Sequence, residues 1–228
     1  MTAIDTGRRF GTGPLARAAA LVHTLLVVQV LILLTGAAGL VPLVLLERDA
    51  SNLPLAAVCA IPAGPALSAA LYALRRRSAD LTDLEPARAF LRGYRMNAAG
   101  VLKLWVPWLA WEAVLGLDLA AGRWTIVVAA LAVVAALWQA NVLVIASLFT
   151  FRARDTARLA AYFLVRTPKV TLGNAGLAAL AAGVVLFWSE AVLALVAVVF
   201  VAALLRTARP LRAEIEERFV RAVVTPAQ

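Results

Sequence analysis

Between Leu53 and Leu74 the chain runs 22 residues without a charge, LPLAAVCAIPAGPALSAALYAL, and then meets Arg75, Arg76 and Arg77 in succession. A helix needs about 20 apolar residues to cross the hydrocarbon core of a bilayer. Positive charge is retained on the cytoplasmic side, so the three arginines mark the inner end of this span. With that end fixed, every other apolar run in the chain can be given a direction.

The remaining sequence fits the same solvent. Of 228 residues, 63% are hydrophobic and 15% charged, and the mean hydropathy is +0.88. A soluble domain is nearer half apolar and about a quarter charged. The fold class is therefore all-α, a polytopic membrane protein. Its net charge of +9 would point to nucleic acid in a soluble protein. Here the positives mark topology and face anionic headgroups, so the bilayer is the expected partner and nucleic acid is not.

Six spans are expected. The first runs from about Leu21 to Leu46, with Pro42 predicting a kink or an early end near Val41. The second is Leu53–Leu74, where Pro62 and Pro65 bracket Gly64 and predict a distortion. The third spans about Val101–Ala121, the fourth Trp124–Phe149 and the fifth Val170–Trp188. The sixth is Ala191–Leu205, short enough that its start could reach back to Leu186. Twenty of the 22 Lys and Arg residues then fall on the inner side, and only Arg48 and Arg123 fall in outer turns. That asymmetry places both termini in the cytoplasm. The organisation is a cytoplasmic tail over 1–20, a six-helix domain over 21–206 arranged as three hairpins, and a second cytoplasmic tail over 207–228 that reads as a solvated helix.

The longest inner segment carries Thr82 and Glu85 at capping-box spacing, with Pro86 suited to a first helical turn. Phe90 and Tyr94 share one face, and Arg88, Arg92 and Arg95 fall near another. An interfacial helix over about Asp83–Tyr94 accounts for both stripes. Ala60, Gly64 and Ser68 lie four apart, the spacing that lets two helix backbones approach closely. That stripe is either a packing seam or one wall of a polar cavity.

Several of these features together resemble the YesL-like family of bacterial membrane proteins. The residues that carry the resemblance are Ile61-Pro62-Ala63-Gly64-Pro65-Ala66, Ala70-Leu71-Tyr72, Phe90, Asn97 and, before the fifth span, Arg166-Thr167-Pro168. It covers roughly residues 33–206; a threonine usual in the family near Ala63 is missing here. The resemblance implies an integral protein of the bacterial plasma membrane, sometimes found beside carbohydrate-uptake systems, with no established catalytic site. Components of an ABC-type sugar importer are the partners it suggests. Glu85, Gly93 and Pro107 also distantly resemble the coupling loop of ABC-importer membrane subunits, in the same order but at a different spacing.

Catalytic chemistry has little to build on. There is no zinc-protease motif, phosphate-binding loop or nucleophile elbow, and no cofactor is expected. The single histidine, His23, reads as an interfacial polar residue, and the single cysteine, Cys59, as a small packing residue. The costly residue is Glu112, some 16 Å from the inner boundary at 1.5 Å per residue. A carboxylate at that depth must be paired, protonated or hydrated. Gln139 lies at a similar depth on the adjacent fourth span and is its expected hydrogen-bond partner. Glu112, Gln139, Asn141 and Ser68 thus form the candidate intramembrane polar site, either a structural clamp or a place where a proton or substrate is handled. Arg75, Arg76, Arg77, Arg88, Arg92 and Arg95 are the candidate contacts for a partner protein or lipid headgroups. An accessory membrane protein and a permease-like subunit both fit, and they differ in one respect: a permease needs a water path at the midplane past Glu112, Gln139 and Ser68.

Overall fold

The computed structural model describes residues 14–76, 85–122 and 124–217, and it is helical with no strand among them. Four helices are long and apolar enough to cross a membrane: α1 (Pro14–Leu45), α4 (Pro86–Ala120), α5 (Thr125–Leu148) and α7 (Pro168–Phe187). A fifth span forms if α2 (Leu53–Cys59) and α3 (Ala63–Arg75) are taken together, bent by 47° at their junction. The remaining helices are α6 (Ala153–Arg166), α8 (Glu190–Leu195), α9 (Ala197–Thr207) and α10 (Arg209–Ile215).

The stretch that opens the sequence argument sits in the middle of the bundle. Helix α3 packs against α1, α4, α5 and α9, and Ala69, Ala70 and Leu71 are fully buried. Its small residues let larger side chains on neighbouring helices close over it. The Trp105 ring of α4 lies so near Gly64 that an added Cβ would come within 2.6 Å of it. Ser68 Oγ meets Ser147 Oγ of α5 at 2.8 Å. Gly64 and Ser68 therefore form a packing seam, while Ala60 of the same stripe falls in the junction before α3.

The expected distortion is present, between Cys59 and Ala63. Pro62 supplies no N–H there, while Pro65 falls in the first turn of α3, where a missing donor costs nothing. The carbonyl of Ala60 accepts the indole N–H of Trp105 at 3.1 Å. Helix α1 continues through Pro42 and ends at Leu45, and it is already helical from Pro14, inside the expected tail.

Two expectations on the inner side change. The predicted interfacial helix and third span are one helix, α4, of 35 residues. Nothing between Tyr94 and Val101 stops it: Asn97 turns its amide away to donate to the Ser147 carbonyl at 3.0 Å, leaving the helix's own ladder intact. Phe90 is fully buried and Tyr94 half-buried, with their rings stacked at 6.4 Å. At 1.5 Å per residue α4 is about 52 Å long, well beyond the roughly 30 Å of hydrocarbon. The described part of the C-terminal segment, up to residue 217, is not fully solvated either, since Leu211 and Ile215 of α10 are fully buried; residues 218–228 lie outside the described residues. The basic segment after α5 holds amphipathic α6, which buries Thr156, Ala160 and Phe163 at helical spacing and leaves Arg154, Arg158 and Arg166 exposed.

Candidate functional site

The four residues expected to form one polar site lie in separate places. Glu112 is half-buried, and its Oε1 accepts the indole N–H of Trp108, one turn back on α4, at 2.9 Å. Gln139 is 2% exposed, and neither its amide oxygen nor its nitrogen has a hydrogen-bond partner among the described residues. The expected Glu112–Gln139 pair is therefore not formed. The reason is local: an i, i+4 indole reaches the carboxylate without any help from the next helix. Asn141 donates to the Ala160 carbonyl of α6 at 3.4 Å and accepts from Asn174 of α7 at 3.2 Å. Ser68 belongs to the α3–α5 seam and is fully buried.

The candidate arginines also divide. Arg75 donates to Glu216 at 2.6 Å and lies 5.6 Å over the Phe149 ring, while Arg76 lies 4.8 Å over Tyr72. Arg88 pairs with Glu85 at 2.6 Å, and Arg92 and Arg95 are exposed on α4. Arg77 lies outside the described residues, as does the start of the predicted interfacial helix at Asp83. Glu85 is the N-cap residue of α4, and Gly93 and Pro107 lie inside it, so two of the three residues that resemble a coupling loop are on one continuous helix.

What the structure assembles instead is a cavity of about 350 Å³ between two interrupted helices. One wall is the α2–α3 junction, with Cys59, Ala60 and Ala63; another is the start of the last apolar segment, with Leu193, Ala194 and Ala197. Helix α1 provides a third wall through Ile32, Gly36 and Leu40. The last segment is broken at Val196, whose φ of −109° and ψ of 10° lie off the helical values. Gln29 of α1 spans this break. Its Nε2 donates to the Ala194 carbonyl at 2.7 Å, and its Oε1 accepts from the Val198 N–H at 2.9 Å. Both halves of one amide thus satisfy backbone groups beside the break, where lipid offers no substitute.

Gly39 brings α1 equally close to the other junction, where an added Cβ would lie 1.8 Å from the Cys59 carbonyl oxygen. Glu190 is the one charged residue lining the cavity, and Arg48 pairs with it at 3.0 Å while also donating to the Val185 carbonyl at 3.3 Å. The arrangement accepts apolar matter and offers one ion pair at its edge. A sugar would find few partners for its hydroxyls on such walls.

Sequence reasoning missed Gln29. A lone amide inside an apolar run is visible, but its partners lie 165 and 169 residues away. The break at Val196 carries no Gly or Pro within the run LALVAVV. Among the described residues no three His, Cys, Asp or Glu side chains are grouped to hold a metal. No protein-family model, curated protein or solved structure matches the chain.

Proposed function

We propose that this chain is a non-enzymatic accessory or regulatory component of the bacterial plasma membrane. Its six spans would be α1, α2 with α3, α4, α5, α7, and α8 with α9, paired as three hairpins with both termini in the cytoplasm. Helices α8 and α9 together cover about 27 Å, close to the hydrocarbon thickness once the Val196 break is included. The distribution of basic residues in the sequence supports the orientation.

The observation that carries the accessory reading is burial at the midplane. A permease path past the candidate polar residues would wet Ser68 and Gln139, and they are 0% and 2% exposed. The resemblance to YesL-like proteins supports an association with carbohydrate uptake, with ABC-type sugar importer components as the partners. Affinity purification from native membranes in mild detergent, followed by identification of the recovered chains, tests this. Importer subunits are expected. Sugar movement by the purified chain alone in proteoliposomes would overturn the reading.

A permease-like subunit is the second reading, and the two interrupted helices at one cavity favour it, since discontinuous spans line many transport sites. The apolar lining weighs against a sugar as the cargo.

A further inference from the structure

At the inner end of the bundle, four arginines from three helices surround one cavity. Arg75 ends α3, Arg206 lies in the last turn of α9, and Arg209 and Arg212 belong to α10. The cavity holds about 600 Å³. Its other walls are apolar, with Leu25 of α1, Leu74 of α3 and Val199 of α9.

Glu216 pairs with Arg75 at 2.6 Å, while Glu214 faces Arg166 at 3.7 Å. Arg212 has its Nε buried with no hydrogen-bond partner among the described residues. Burial holds the Arg212 guanidinium below the usual arginine range; the positive charge of Arg75 adds to this, Glu216 opposes it, and Arg209 adds again. An anion in the cavity would relieve that repulsion. Arg75 is held in place by Glu216 and the Phe149 ring, so part of the site is fixed in advance.

We propose that this cavity binds the phosphate of an anionic phospholipid of the inner leaflet, with the upper acyl carbons against Leu25, Leu74 and Val199. A phosphodiester presents acceptors to guanidinium donors, and basic pockets between spans on the cytoplasmic side suit such headgroups. The apolar wall running on from the arginines is what favours a lipid over free phosphate. The inference rests on the membrane reading but not on the accessory role, so a failed partner search leaves it standing.

The test is lipid binding to delipidated full-length protein, read by native mass spectrometry. The probes are phosphatidylglycerol, phosphatidylcholine with the same acyl chains, and inorganic phosphate. Wild type is expected to retain phosphatidylglycerol over phosphatidylcholine, and millimolar inorganic phosphate is expected not to displace it. Arg206→Gln with Arg212→Gln should weaken phosphatidylglycerol binding about fivefold per arginine removed. Arg152→Gln with Arg158→Gln removes the same charge from exposed positions elsewhere and should leave binding unchanged. Arg209→Gln, at an exposed position, gives the same reading should the double variant fail to fold. Equal binding of the two lipids, or equal loss in the Arg152/Arg158 control, would overturn the site. Displacement by inorganic phosphate would overturn the lipid in favour of a soluble anion.

Discussion

An amide deep in a membrane bundle can draw partners only from inside the protein, and two glutamines here differ in whether they have them. Gln29 satisfies both of its polar atoms on the backbone beside Val196. Gln29→Leu should therefore remove the side-chain partner of the Ala194 carbonyl and of the Val198 N–H and cost about 1–3 kcal/mol, seen as a lower denaturation midpoint in detergent. Gln139 is buried with neither atom partnered among the described residues. Gln139→Leu should be neutral or stabilising by a similar measurement, because it removes an unsatisfied group rather than a bond. A marked loss of stability would mean the amide has a partner in the membrane. Glu112 has a different prediction. Glu112→Gln keeps an acceptor for the Trp108 indole and should preserve stability, whereas Glu112→Leu should cost about 1 kcal/mol and change the tryptophan emission. Depth alone identified Glu112 as a residue needing a partner. It did not identify the partner, because an indole one turn away on the same helix competes with any group on the next.

At the scale of helices, breaks written in proline were legible and breaks written in tertiary contacts were not. Pro62 and Pro65 announce the α2–α3 junction. The junction is held by Gly39, whose close approach to the Cys59 carbonyl leaves no room for a methyl group. Gly39→Ala should push α1 outward and lower stability by about 1–3 kcal/mol, checked by thermal unfolding beside Gly36→Ala, where nothing lies within 4 Å of the added atom. Val196 interrupts a uniformly apolar run, and only Gln29 on a distant helix accounts for the break being tolerated. Helix α4 shows the reverse case. A change from basic to apolar composition near Tyr94 looks like a boundary, yet composition does not stop a helix when no breaker or competing cap is present. The stripe of Thr156, Ala160 and Phe163 that α6 buries is short and sits among five basic residues, which mask its helical period in the sequence.

For the whole molecule, the apolar runs give the class, while the arginine-rich end of the bundle depends on contacts far apart in sequence. Arg75 meets Glu216 across 141 residues, and α10 buries Leu211 and Ile215. The proposed topology predicts that, in a Cys59→Ala background, Ser51→Cys reacts with an impermeant maleimide from outside the cell. Asp155→Cys should react only after the membrane is opened. Equal reaction from one side would remove the six-span arrangement.

The Gln29 bridge joins the first long helix to the last apolar segment. Whatever order the intervening helices follow, that amide lacks its two backbone partners until synthesis has passed Val198. A chain cut short before Ala194 would carry an unanswered amide in its first span, a feature that membrane quality control could recognise as unfinished assembly.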